Sequence, residues 1–195
     1  MLWPAHPKLQ QDEMLSSWIV RLARANGMPT RVFWRVINSD HALRFATVDR
    51  RLSEPLFRVL SEGTGVPIAE IRQAVIVNDA YDADFPQISK RRRGQQARSL
   101  RYCAACFAED KEPYYRRSWQ QSCTLLCYAH LSWLSNKCPS CLTAVKLEVL
   151  FPEVPNLATC AVCGRSMARQ EVPPAWLLER QRFGQMQKRL LTLGL

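Results

Sequence analysis

Along the first third of the chain, apolar positions recur at intervals of three and four. Met14, Leu15, Trp18, Ile19 and Leu22 form one such stripe, with Asp12 as a candidate N-cap and Asn26-Gly27 as a stop. The spacing predicts a helix there and a second over "TRVFWRVI", residues 30–37, capped by Thr30 and with its Phe and Trp in the core. Residues 53–76 read "SEPLFRVLSEGTGVPIAEIRQAVI". Ser53, Glu54 and Pro55 suit a helix start, since the donor that proline lacks is unused there. Leu56, Val59 and Leu60 face inward, "GTGVP" breaks the helix, and Pro67 opens another that carries Ile68, Ile71 and Val75. Helix, glycine turn and helix make a helix-turn-helix-like pattern. Its candidates for base contact are Glu70, Arg72, Gln73 and Asn78, of which only Arg72 adds positive charge. The pattern is therefore a weak base reader and serves protein contact or packing equally well.

After residue 88 the periodicity gives way to a run of cations, "KRRRGQQARSLR" at 90–101, and then to a cysteine-rich stretch. The chain divides into a helical, helix-turn-helix-like domain (1–88), a basic linker (89–101), a tandem zinc-binding domain (102–170) and a C-terminal helix (171–195). The expected fold class is mainly α with small zinc-stabilised knuckle or ribbon modules. Charge sharpens this picture. The 195 residues hold 27 Lys and Arg against 17 Asp and Glu, a formal net charge of +10, which favours a polyanionic partner. Lys90, Arg91, Arg92, Arg93, Arg98 and Arg101 form the natural phosphate clamp, contacting backbone rather than bases. The opening "MLWPAHP" lacks a signal-peptide core, and no stretch approaches the roughly 20 apolar residues of a membrane span. The expectation is a cytoplasmic protein with reduced thiols, in which paired cysteines bind metal.

All eight cysteines fall between residues 103 and 163. They form Cys103-x2-Cys106, Cys127-x2-His130, Cys138-x2-Cys141 and Cys160-x2-Cys163, with Cys123 left over. A two-residue gap lets both side chains of a tight turn face one ion, so two knuckles complete a tetrahedron. Consecutive pairing gives Cys103, Cys106, Cys127 and His130 as one Zn²⁺ site and Cys138, Cys141, Cys160 and Cys163 as the other. Two alternatives stand beside it: Cys123 and Cys127 joining Cys138 and Cys141, or knuckles interleaved as a cross-brace. Consecutive pairing strands one thiol, and Cys123 then reads as a small buried hydrophobe. Four protein ligands leave no open position, which points to a structural role; each such ion contributes on the order of 10 kcal/mol of apparent binding energy. No P-loop, nucleophile elbow or HExxH motif is present. Asp79, Asp82 and Asp84 read as a solvated loop, and the chain reads as a non-enzyme.

"DEMLSSWIVRLARANG" at 12–27, "RYCAACFAEDKEPYYRRSW" at 101–119, "LLCYAH" and "CPSC" together resemble the TniQ family of transposition proteins, over roughly residues 1–165. Ala104-Ala105 stands where the family often has a proline between the cysteines, and Tyr128 where proline often follows the third ligand. The resemblance implies an adaptor that joins a target selector, such as an RNA-guided CRISPR effector, to the AAA+ ATPase of a Tn7-like transposon on DNA. It implies the short form, whose sequence specificity comes from a separate selector. For "YYRRSW" two readings stand: Arg116 and Arg117 face phosphate while Tyr115 and Trp119 enter the zinc-site core, or the whole run is a protein contact. Leu2 and Trp3 of the N-terminal peptide and Trp176 and Phe183 of the tail are the candidate partner contacts, for the ATPase, an effector subunit or a second protomer in a homodimer. A stand-alone zinc-containing helix-turn-helix DNA-binding regulator is the alternative, and a metal-dependent enzyme would need an open coordination position.

Overall fold

The structure is a computed structural model, and it describes residues 1–40, 43–50, 52–75, 99–121, 124–146 and 155–168. Outside the described residues lie Asn78, Asp79, Asp82, Asp84, Lys90–Arg93, Arg98, Cys123, Trp176, Phe183 and the expected C-terminal helix. The described chain is mainly helical, with no strand beyond isolated bridges among those residues.

Helix α1 spans Leu15–Ala25, and Asn26 with Gly27 (φ 65°) ends it as the sequence predicts. Its start differs from expectation. Asp12 lies outside the helix in left-handed backbone (φ 60°), and Met14 holds the N-cap position without a side-chain cap. The cap comes from far along the chain, where the Asp49 carboxylate accepts the Ser16 N–H at 2.8 Å. Every residue from Leu15 to Ala23 is buried, the expected stripe and also Ser16, Ser17, Val20 and Arg21. A helix covered on all sides needs a neighbour on each face.

The neighbours are two clusters of buried side chains. In one, Leu15, Trp18, Ile19 and Leu22 of α1 pack with Phe33, Trp34 and Ile37 of α2 (Thr30–Ile37), and with Leu56, Phe57 and Leu60 of α3 (Glu54–Thr64). Thr30 is the first helical residue and Pro29 takes the N-cap position, so Thr30 does not cap α2. Ser53 holds the N-cap position of α3, although its hydroxyl makes no cap bond. Gly65 (φ 73°) closes α3, and the short α4, Ile68–Gln73, buries Ile71 in the same cluster as Leu56, Phe57 and Leu60. Val59 is half-buried, while Phe57 takes the deeper position beside Leu56 and Leu60.

The N-terminal segment lies on this helical cluster. The Trp3 N–H donates to the Gly63 carbonyl at 2.8 Å, and its indole meets Phe33 edge-on at 5.1 Å. A Cβ at Gly63 would overlap the indole, so the glycine is what admits Trp3. Asn26 exchanges hydrogen bonds with Ala5, and Trp18 Nε1 donates to the Pro7 carbonyl.

The second cluster holds Met14 and Val20 from the other flank of α1 together with Tyr102, Phe107, Tyr115, Trp119 and the inner cysteines. Three of the four cysteine knuckles share one backbone plan. At Cys127, Cys138 and Cys160, the first ligand's N–H donates to the carbonyl five residues on, and its carbonyl accepts from the N–H four residues on. An isolated bridge closes each hairpin: Leu126 with Trp133, Lys137 with Ala144, and Thr159 with Ser166. The residue after the second ligand is left-handed in each: Leu131 (φ 50°), Leu142 (φ 58°) and Gly164 (φ 69°). The first knuckle departs from the expectation of a tight turn. Cys103 holds the N-cap position of helix α5, Ala104–Glu109, so Cys106 offers its sulfur from within a helical turn. Alanine at 104 and 105 suits that helix.

Candidate metal centres

The four knuckles bring their donors together in consecutive pairs. The ligand atoms of Cys103, Cys106, Cys127 and His130 all lie within 4.8 Å of one another, as do those of Cys138, Cys141, Cys160 and Cys163. In the first centre His130 Nδ1 lies 3.5 Å from the Cys103 sulfur, 3.3 Å from that of Cys106 and 3.6 Å from that of Cys127. The Cys106 and Cys127 sulfurs are 3.5 Å apart. In the second, Cys138 and Cys163 are 3.7 Å apart, as are Cys141 and Cys160. A tetrahedral ion with metal–sulfur bonds of about 2.3 Å and metal–nitrogen bonds of about 2.0–2.1 Å requires edges of about 3.6–3.8 Å. Both groups therefore fit a metal ion, with four protein donors each.

The imidazole is fixed from outside the centre. His130 Nε2 lies 2.8 Å from a Glu109 carboxylate oxygen, which leaves Nδ1 as the metal-facing nitrogen. Glu109, the last residue of α5, was not a candidate from sequence. Its only signal is a carboxylate one helical turn beyond Cys106, a common arrangement at any helix end. In the second centre the Ser140 and Val162 N–H groups each point at a cysteine sulfur at 3.4 Å, as donors to thiolate do.

The centres differ in depth. Cys103, Cys106 and Cys127 are all buried, in one cluster with Phe107, which stacks on Tyr102 at 5.1 Å and meets Tyr115 and Trp119 edge-on. Cys163 is exposed and Cys141 half-buried at the second. Tyr115 and Trp119 thus sit in the metal-site core.

A polar seam joins this module to α1. Glu13 and Arg116 form an antiparallel bridge, Met14 N–H donates to the Tyr115 carbonyl, and the Tyr115 N–H donates to Ser17 Oγ. Arg21, almost fully buried, pairs with Glu13 at 2.7 Å and with Glu112 at 2.6 Å. Burial pushes the Glu13 carboxyl up to about 7, against the pull of Arg21 and of bonds from Gln10 and Ser17. Asp12, freed from capping, accepts from the Ser118 hydroxyl at 2.5 Å and pairs with Arg117 at 3.4 Å. The pairings that cross the seam were not legible beforehand, because residues 12–21 and 110–118 are nearly a hundred positions apart.

The described cations that sequence offered to phosphate all have partners within the chain. Arg72 is paired with Glu54 at 2.6 Å and lies over the Phe57 ring. Arg101 donates to the Thr124 and Gln121 carbonyls. Arg116 pairs with Asp110 at 2.7 Å and lies over Tyr114 and Trp119. Arg117 reaches Asp12 and the Gln73 carbonyl. Of the partner candidates, Leu2 is exposed, while Trp3 is packed on α2 and α3.

A helical body joined through buried Arg21 to a four-knuckle module whose two donor clusters could hold metal ions defines this class of protein. The model of the TniQ family matches residues 4–134, well over half of the chain, from the N-terminal segment through both knuckles of the first centre. The chain belongs to the TniQ family and is a transposition-associated protein. No curated protein matches it. No helix among the described residues is long and apolar enough to cross a membrane.

Proposed function

We propose that the chain is a non-enzymatic adaptor of transposition. It would link a target-site selector, such as an RNA-guided effector, to the AAA+ ATPase of a Tn7-like element on DNA, in the cytoplasm. Its two metal centres hold structural Zn²⁺. The observation that carries this reading is the family match, taken with centres whose four protein donors leave no place for substrate. Thiolate-rich, tetrahedral donor sets suit Zn²⁺ over harder cations. Rigid metal-stapled hairpins give such an adaptor fixed surfaces at little cost in chain length. Exposed Leu2, next to Trp3, which anchors the segment, is the proposed first contact for the ATPase.

The test is retention of the element's ATPase on duplex DNA with ATP, with and without the full-length chain. The adaptor reading expects the chain to raise retention and Leu2→Asp to abolish the gain. It fails if the chain binds neither ATPase nor selector. Tight, mismatch-sensitive binding to one duplex without partners would instead support a stand-alone regulator.

A further inference from the structure

Helix α2 turns Thr30, Phe33, Trp34 and Ile37 into the core and leaves Arg31, Val32, Arg35 and Val36 exposed. The two arginines are four positions apart, hence neighbours on one face at about 6 Å. Neither has a hydrogen-bond or ion-pair partner among the described residues, and no acid shares the helix. This sets them apart from Arg72, Arg101, Arg116 and Arg117, each held by a carboxylate or carbonyl of the chain itself. Val32 and Val36 are 43% and 71% exposed, small enough to let the flanking guanidinium groups reach a surface broader than the helix.

We infer that the outer face of α2 docks on the phosphate backbone of duplex DNA, with Arg31 and Arg35 each neutralising one phosphate. Charge complementarity selects a polyanion, since two adjacent uncompensated guanidinium groups repel until an anion lies between them. Among the described residues, the large exposed apolar side chains are Met1, Leu2, Val32, Val36, Leu125, Leu142 and Val162, none of them aromatic. Recognition of single strands relies on aromatic stacking platforms, which this surface does not offer. Transposition acts on DNA, so duplex DNA is the polyanion to which the face is assigned; only that last step rests on the proposed function. The contact positions the protein and carries no base preference, because a guanidinium on phosphate reads no base edge. In the helix-turn-helix-like pair α3–α4 Glu54 pairs with Arg72, so the proposed phosphate contact is assigned to α2.

The experiment measures affinity of the zinc-loaded full chain for a mixed-sequence duplex by fluorescence anisotropy, from about 50 to 200 mM salt. Loss of two phosphate contacts in R31Q/R35Q should lower the log–log salt slope by about 1.8 and weaken binding uniformly across sequences. R31K/R35K should keep the wild-type slope, and an unchanged unfolding midpoint shows that the fold is intact. A slope in R31Q/R35Q equal to wild type overturns the inference, as does failure of the wild-type chain to bind duplex. Equal or tighter binding to a single strand of the same length overturns the assignment to duplex. Because no ATPase is present, failure of the adaptor reading leaves this measurement untouched.

Discussion

Leu142 follows the second ligand of its knuckle in left-handed backbone, φ 58°, with 69% of its surface exposed. A side chain there meets the following carbonyl, and exposure returns little for that strain; Gly164 holds the matching position in the next hairpin without it. L142G should therefore stabilise the metal-loaded protein, by about 0.5–1 kcal/mol after the added freedom of the unfolded chain, seen as a higher denaturant midpoint with an unchanged slope. Glu13 poses the opposite problem, a needed carboxylate held in a dry seam. Its folded pKa of about 7 exceeds the ordinary 4.5, so the folded state binds more protons between those values. Stability contributed by this group is present below about pH 4.5 and lost as pH rises through about 7. E13Q, which cannot ionise, should gain relative to wild type between pH 5 and about 7; urea midpoints of the two proteins compared across that range measure it. A constant difference would mean that Arg21 keeps Glu13 charged throughout.

Among the elements, what sequence made legible is what local spacing controls. The apolar stripe of α1, the glycine stops at 27 and 65, the span of α2 and the four ligand pairs all follow from intervals of two to four residues. What escaped is what distant segments control. Asp12 has the residue type and position of a cap, yet Asp49, thirty-three positions away from Ser16, performs the capping. The stripe read as one face divides: Leu15, Trp18, Ile19 and Leu22 join the helical cluster, whereas Met14 falls with Val20 in the cluster of the cysteine module. The first knuckle became a helical turn because nothing in C-x2-C distinguishes a hairpin from a helix start. The N-terminal segment shows the same dependence, since "MLWPAHP" gives no hint that Gly63 makes room for Trp3. G63A should unseat that indole at a cost of about 1–3 kcal/mol, read as a red-shifted tryptophan emission and faster proteolysis before residue 12.

For the molecule as a whole, the two metal centres predict an ordered response to chelation. The second centre presents Cys163 to solvent and leaves Cys141 half-buried, whereas all three cysteines of the first are buried. Titration with a chromogenic chelator should release one ion quickly and the second slowly. Tyr102, Tyr115 and Trp119 share one cluster with cysteines of both centres, and the Tyr102 and Tyr115 hydroxyls donate to the Lys137 and Leu157 carbonyls, so the near-ultraviolet circular dichroism should decline in both phases. Simultaneous release of the two ions would contradict this order.

The seam across α1 also governs how the chain is made. Translation delivers Met14 and Val20 long before Tyr115 and Leu157, the residues that share their cluster. A nascent chain therefore leaves the ribosome with one flank of its central helix wet and greasy, and it stays so until the cysteine hairpins close on their ions. Cells starved of the metal would consequently yield aggregated chain rather than a merely weakened one, and supplementation during expression would need to precede, not follow, its completion.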